Sequence, residues 1–217
     1  MRILITAGPT REYLDDVRYL SNASSGRMGY ALAAAAKAAG HAVTLVHGPT
    51  IHEMPSVDKI VAVTSAQEMF DAVAAEFPAC DVLIACAAVS DYRPKRRASG
   101  KIKREMAETL TLELVQNHDI VREMAARRRP GQIVIGFALE SSAGETAARE
   151  KLSRKGLDAI ILNAPSAIGA AETEITIFRA DRPHGETVRG SKDEAARRIV
   201  ALAEELADSS TGKRQKS

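Results

Sequence analysis

The chain has 217 residues, of which 45% are hydrophobic, 27% charged and 4% aromatic, with no tryptophan and a formal net charge of +2. A chain of this length buries one sizeable core, so a single domain over residues 1–206 is expected. Near-balanced charge and scarce aromatic rings argue against a nucleic-acid binder, and no apolar run is long enough to cross a bilayer.

The first strand pattern is Arg2–Thr6, closed by Ala7-Gly8-Pro9-Thr10. Next comes Tyr19-Leu-Ser-Asn22-Ala-Ser24-Ser25-Gly26-Arg-Met-Gly29, which leads into an alanine-rich helix pattern, Gly26–Ala39, with Gly40 as its left-handed stop. Strand patterns follow at Ala42–His47 and Lys59–Val63, then a helix at Ala66–Glu76 with Ser65 as its N-cap. Further strands are expected at Asp81–Cys86, Gln132–Phe137 and Asp158–Leu162. Helices are expected between them at Asp119–Arg127, with Asn117 as N-cap, and at Gly144–Lys155. Two pieces break the alternation. Between Ser99 and Gln116 the period becomes two, with Ile102 among basic residues and Leu110, Leu112 and Leu114 alternating with polar ones, which predicts a projecting hairpin flap over about 93–116. Glu174–Ala180 with Glu186–Arg189 predicts an antiparallel ribbon before a last helix, Asp193–Leu206; residues 207–217 read as a disordered basic tail. The fold class is α/β: a Rossmann-like, three-layer, mostly parallel sheet with helices on both faces and a β-hairpin flap.

A helix start carries unpaired N–H groups and the positive end of the dipole, so Asn22, Ser24, Ser25 and Gly26 mark an anion site, with helix capping by a serine as the plainer alternative. Ligands of an open parallel sheet lie beyond the carboxyl ends of its strands. Those ends are Ala7-Gly8-Pro9-Thr10, His47-Gly48-Pro49, Ala87-Ala88-Val89-Ser90-Asp91, Phe137-Ala138-Leu139-Glu140 and Asn163-Ala164-Pro165. Asp91 is a carboxylate suited to Mg²⁺ or a sugar hydroxyl, or to a turn cap. The basic cluster Arg93 to Arg104 suits a small anionic ligand. Cys80 and Cys86 follow no zinc or disulfide spacing and read as reduced thiols; with no signal peptide pattern, a cytoplasmic protein is expected. An NAD(P)-dependent oxidoreductase lacks its signatures here. No G-x-G-x-x-G follows the first strand, His47-Gly48-Pro49 supplies no ribose-binding acid, and no tyrosine precedes a lysine by four; a P-loop is also absent.

Gly8-Pro-Thr-Arg-Glu12, Val17-Arg-Tyr-Leu-Ser-Asn22-Ala-Ser-Ser-Gly-Arg-Met-Gly29, Cys86-Ala-Ala-Val-Ser-Asp91-Tyr, Lys101-Ile-Lys103 and Asn117-His-Asp119-Ile resemble, in order along the chain, phosphopantothenoylcysteine synthetase. That enzyme is the ligase half of the bacterial bifunctional coenzyme A biosynthesis flavoprotein. The resemblance implies joining of 4′-phosphopantothenate to L-cysteine with CTP and Mg²⁺ through an acyl-cytidylate, in a homodimer. It implies no flavin, because the decarboxylase half has no counterpart in this sequence: the chain looks like a stand-alone synthetase or an excised domain, with a separate decarboxylase as one candidate partner. By position, Asn22 would contact the activated carboxylate and Lys101 would close over it from the flap. Ser24, Ser25 and Gly26 would cradle phosphate. Ala85, Cys86 and Ala87 would face the nucleotide through backbone, with Asp91 on ribose or metal. His118, Asp119, Ile120 and Val121 would bring a helix start to the nucleotide, Phe137 a ring, and Lys151 and Lys155 a basic pair; for the last three a core or solvated role is the plain alternative. Three positions depart from the family: His118 stands for a proline, Ala23 for a histidine, and Asn163-Ala164-Pro165 for an asparagine–aspartate pair. The rival readings are an NAD(P)-dependent oxidoreductase and a nucleotide-binding subunit without turnover.

Overall fold

The computed structural model describes residues 1–103, 108–139, 144–163 and 172–214. Arg104, Glu140, Ala164, Pro165 and the last three residues of the basic tail lie outside these.

Short β-branched runs form the core strands: β1 (Arg2–Ala7), β4 (Ala42–His47), β5 (Lys59–Ala62), β6 (Val82–Ala85), β9 (Ile133–Leu139) and β10 (Ala159–Asn163). Between β1 and β4, two short strands, β2 (Arg11–Tyr13) and β3 (Tyr19–Ser21), make a small ribbon that the sequence reading did not foresee. β7 (Tyr92–Pro94) and β8 (Leu114–Gln116) pair as another, and β11 (Glu172–Arg179) with β12 (Glu186–Ser191) forms the antiparallel edge. The main sheet has eight strands in the order β12-β11-β10-β9-β6-β1-β4-β5, parallel from β10 to β5.

Both faces of this sheet are covered, which is why its strands are nearly continuous apolar runs. Ile3, Ile5, Val43, Leu45, Ile84 and Ile135 face a layer made by α1 (Arg27–Ala38) and α5 (Lys192–Arg214). Leu4, Val46, Leu83, Val134 and Ile160 face α2 (Ala66–Glu76), α3 (Ile120–Arg127) and α4 (Gly144–Lys155). The expected three-layer α/β architecture is the observed one.

Helix starts explain the local differences. Ser65 caps α2 as expected, in a reciprocal box with Glu68, and the buried Glu12 carboxylate also accepts the Ala66 N–H at 2.9 Å. Asn117 is not the cap of α3; Asp119 is, accepting the Arg122 N–H, while the Asn117 amide donates to the Ser90 carbonyl at 2.8 Å. Among the described residues the flap pairs as a hairpin only at its base, where Tyr92–Pro94 pairs with Leu114–Gln116; Lys101–Lys103 forms no strand. Ile102 is held instead by the turn after β2, as described below. The final helix starts one residue earlier than expected, because Ser191 and Glu194 exchange hydrogen bonds there. It also continues to Arg214, so residues 207–214 are helical and not a disordered tail. Adding turns to a nucleated helix costs little, and the Ser209 hydroxyl donates back to the Glu205 carbonyl at 2.8 Å.

Candidate active site

The carboxyl ends of β6, β9 and β10 and the start of α1 enclose a cleft of about 430 Å³, within the range of small-molecule sites. Its chemistry begins at α1. Gly26 is the N-cap residue, in the left-handed region at φ 76°, and no side chain caps the helix. Ser24 and Ser25 therefore do not play the plain capping role; their hydroxyls make only long contacts, 3.3 Å to the Gly26 N–H and 3.5 Å to that of Arg27. The N–H groups of the first turn, at Met28 and Gly29, are left for a ligand, and both residues line the cleft. Gly29 is what allows α1 to sit this low, since a Cβ there would lie 2.4 Å from the Ala7 Cβ.

Asn22 sits at the cleft wall and ties two loops together: its amide donates to the Ala88 and Val89 carbonyls, at 3.1 Å each. Both amide hydrogens are thus used, and what remains for a ligand is the acceptor Oδ1. The strand-end loop after β6 is held equally firmly. The Ala87 N–H donates to the Thr6 hydroxyl, Ala88 to the Gly8 carbonyl and Ser90 to the Thr10 hydroxyl. With the Ala87 N–H engaged inside the protein, its carbonyl is the backbone group left for the expected contact with a nucleotide. Cys86, Ala87 and Asp91 line the cleft, while Ala85 is buried beneath it. Burial pushes the Cys86 thiol up to about 12 and that of Cys80, outside the cleft, to about 11.

Phe137 and Lys151 also line the cleft. The remaining expected residues do not. Lys155 pairs with Asp119 at 2.8 Å, Ile120 is buried in the core and Val121 packs against it. His118 stacks on Phe70 with ring centroids 4.5 Å apart and bonds Glu123 at 2.7 Å, so the residue in the usual proline's place joins α2 to α3. Lys101 is exposed on the flap, outside the cleft wall. Two cations in the wall were missed, Arg27 and Lys192. The Ser191-Lys-Asp-Glu194 capping pattern was the available signal for Lys192, since it places that lysine first in its helix. Among the described residues no cluster of three or more His, Cys, Asp or Glu exists to hold a metal. Among the described residues Asp91 is the one carboxylate in the cleft wall, a donor set that fits a Mg²⁺ arriving on a nucleotide's phosphates and not an all-protein cage.

The turn after β2 fastens the flap. The fully buried Asp15 accepts the N–H groups of Val17 and Arg18 at 2.7 Å and that of Ile102 at 3.0 Å, and Arg18 donates to the Ile102 carbonyl at 3.0 Å. The Arg18 and Val17 backbone bonds, foremost, hold the Asp15 carboxyl down to about 2, from 3.8. A depressed carboxyl stabilises the fold fully above its unfolded pKa, and that contribution disappears as pH falls through its folded pKa. Asp15→Asn is therefore expected to melt below wild type at neutral pH, with the gap closing between about pH 4 and pH 2. Melting curves across that window check this; a gap independent of pH would show that the charge is not what holds the turn.

Comparison with known proteins decides the family. The model of the DNA/pantothenate metabolism flavoprotein C-terminal domain matches residues 1–206. The chain belongs to that family. Relatives from this family include the coenzyme A biosynthesis bifunctional protein CoaBC of Vibrio cholerae, 44% identical over 209 residues, covering 94% of this chain and 52% of that protein. The CoaBC of Escherichia coli K12 is 48% identical over 165 residues, covering 75% of this chain and 41% of that protein. The chain thus spans about half the length of the curated relatives it matches. A crystal structure of the C-terminal domain of CoaBC superposes with a TM-score of 0.80 at 38% identity, covering 95% of this chain and 96% of that one. The Cab2 complex with phosphopantothenate-cysteine shares the fold, with a TM-score of 0.81 at 15% identity over 99% of this chain and 88% of that one. No helix among the described residues is long and apolar enough to cross a membrane.

Proposed function

We propose that this chain is a phosphopantothenate–cysteine ligase of coenzyme A biosynthesis, using CTP. The observation that carries the reading is the uncapped start of α1 opening into a cleft on a chain of the CoaBC C-terminal family. The chemistry asks for no protein nucleophile. The carboxylate of 4′-phosphopantothenate attacks the α-phosphorus of CTP; the new P–O bond replaces the bond to pyrophosphate, which leaves. The amine of L-cysteine then attacks the acyl carbon, a C–N bond replaces the C–O bond to the phosphate, CMP leaves and the amine loses a proton.

The protein's part is to bring anions together and hold them. The N–H groups at the start of α1, with Ser24, Ser25 and Gly26, receive phosphate. The Asn22 bridge fixes that cradle against the loop at Cys86 and Ala87, and the Phe137 ring and Lys151 approach the nucleotide from the β9 and α4 side. Asp91 would be the protein ligand of a Mg²⁺ carried on the nucleotide, which would neutralise phosphate charge when bound. Lys101, with the flap closed, supplies charge to the acyl-phosphate. His118, Asp119, Ile120, Val121 and Lys155 then act by building the α3 start and not by direct contact. Leu110, Leu112 and Leu114 of the flap region and Tyr92 are exposed apolar side chains that a second copy would cover in a homodimer. A decarboxylase would follow this step, removing the cysteine carboxyl from its product, and a cytoplasmic location suits both.

The test is pyrophosphate release. With 4′-phosphopantothenate and CTP but no cysteine, a burst stoichiometric with enzyme is expected, and melting shifts across CTP, ATP, GTP and UTP should single out CTP. Absence of any pyrophosphate, or a phosphorylated acid with no CMP-linked species, would overturn the reading. Lys101→Gln is expected to weaken nucleotide binding modestly while slowing formation or consumption of the intermediate far more, because its charge is needed only in the closed complex. Rapid-quench measurement of the acyl-cytidylate checks this; wild-type amounts and lifetimes would return Lys101 to the solvated surface.

A further inference from the structure

Asp15 spends its two carboxylate oxygens on different parts of the chain. Oδ1 accepts the Val17 and Arg18 N–H groups, both at 2.7 Å, and these bonds complete the turn between β2 and β3. An asparagine would close such a turn as well. Oδ2 does something the turn does not need: it accepts the Ile102 N–H at 3.0 Å, 87 residues further along the chain. Arg18, 3.5 Å from the same oxygen, donates to the Ile102 carbonyl at 3.0 Å, so both backbone groups of Ile102 are gripped. The Ala98 N–H donates to the Leu14 carbonyl at 2.8 Å, and the Arg97 guanidinium lies 5.0 Å over the Tyr13 ring. The flap from Arg97 to Ile102 is therefore seated on the β2–β3 ribbon, with Lys101 inside the seated stretch.

The same ribbon runs straight into the site, because Asn22 follows directly on β3. It is also tied to the body of the protein. The Ser21 hydroxyl donates to the Thr10 carbonyl at 2.7 Å, the Arg11 N–H to the Thr64 carbonyl at 2.8 Å, and Glu12 takes the Ala66 N–H. One braced piece thus carries Asn22 at one end and the backbone beside Lys101 at the other.

We propose that Asp15 is the positioning residue for Lys101: through Ile102 it fixes the backbone of the flap lysine relative to Asn22, and this clasp stays made throughout the reaction. This rests on the ligase reading above, in which Lys101 supplies charge to the acyl-phosphate. The carboxylate is fully buried, so releasing Ile102 would strip a donor from a charged oxygen that water does not reach. A bond of that kind is kept from one turnover to the next. A lysine carries its charge on a flexible four-carbon stem, so where the charge arrives depends on how firmly the backbone beneath it is held. Asp15 touches no substrate. Its loss is felt in the step that Lys101 serves and not in nucleotide binding.

The test uses the full chain with Asp15→Asn, Lys101→Gln and the double variant, each assayed below its own melting range. Asparagine keeps Oδ1 for Val17 and Arg18 and turns an amide toward the Ile102 N–H, so the turn survives at lower stability and the clasp does not. Rapid quench of the acyl-cytidylate is expected to show its formation or consumption slowed by about ten- to a hundredfold, with CTP affinity close to wild type. In the Lys101→Gln background the same change should slow nothing further, because no charge is left to position. Asp16→Asn loses only the exposed pair with Arg97 on the same turn and should stay near the wild-type rate. Wild-type rates in Asp15→Asn, or losses that multiply in the double variant, would overturn the proposal and leave Asp15 a residue of the fold alone. Acylation of Lys101 by an amine-directed reagent, read by peptide mass, needs no turnover. With CTP and 4′-phosphopantothenate present, wild type should protect Lys101 and Asp15→Asn should not. A wild-type protein that protects Lys101 but makes no acyl-cytidylate fails as a ligase while the clasp stands. Equal labelling of Lys101 in the two proteins sinks the proposal whatever the activity. Should Asp15→Asn not fold, an ester in place of the Ile102 amide removes the same N–H from the flap side and is read by the same outcomes.

Discussion

Replacing Asn22 by Asp is expected to cut turnover by about 10²-fold or more while leaving the protein folded. The substitution preserves shape and changes one thing: the amide that donates to the Ala88 and Val89 carbonyls becomes a carboxylate oxygen facing them at about the same distance. Two hydrogen bonds are replaced by repulsion between oxygens, and the loop after β6 must move away from the start of α1. That loop and that helix start are the two halves of the proposed site, so their spacing decides whether carboxylate and α-phosphorus meet. A misplacement of about 1 Å between reacting groups costs on the order of 10² in rate. Loss of two bonds at an exposed position should cost about 2 kcal/mol, or roughly 4–8 °C in melting temperature for a chain of this size. Steady-state pyrophosphate release together with a melting curve checks both halves of the expectation. An Asn22→Asp enzyme with near-normal turnover would remove this residue from the site.

Gly29→Val is expected to damage the fold itself. A Cβ at this position would stand 2.4 Å from the Ala7 Cβ, 3.0 Å from the Ala7 Cα and 3.3 Å from the Thr6 carbonyl oxygen, so α1 must lift off β1 before any valine methyl is accommodated. Overpacking of this kind costs about 3 kcal/mol or more, which lowers the melting temperature by roughly 6–12 °C. Because the lifted helix carries the phosphate cradle, binding of 4′-phosphopantothenate should weaken in parallel. The milder Gly29→Ala offers a sharper check when combined with Ala7→Gly, which removes the closest atom. The double variant should be more stable than the sum of the two single changes predicts. Strict additivity would show that the strain lies somewhere other than the α1–β1 contact.

The parts of this fold governed by local periodicity were legible. Ala42–His47, Ala66–Glu76 and Gly144–Lys155 coincide with observed elements because hydrophobic period and flanking turn residues agree there. What periodicity could not give is partner choice. Leu110, Leu112 and Leu114 alternate as a strand should, yet their segment pairs only at Leu114–Gln116, because Ile102 is held by Asp15 and Arg18 instead. Asn117 and Asp119 are both good caps, and a tertiary bond to the Ser90 carbonyl decided between them. The cleft wall was legible where it depends on backbone shape, at Ser24 to Gly26 and at Cys86, Ala87 and Asp91, and Asn22 was read as part of it, though its bond partners, far away in sequence, were not. Lys192 was not legible, because it reaches the cleft only through the packing of α5 against α1.

Cys86 gives the cleft a chemical quietness. A pocket proposed to handle free cysteine, and open to its oxidised dimer, places a protein sulfur within reach of small-molecule sulfur compounds. Exchange with a disulfide proceeds through the thiolate, and burial, by pushing the Cys86 thiol up, holds it in the neutral form near neutral pH. The residue is a small apolar plug in a place where an ordinary surface thiol would slowly acquire a cysteinyl adduct and block the entrance. Such a site is slow to form an adduct in a milieu rich in its own substrate.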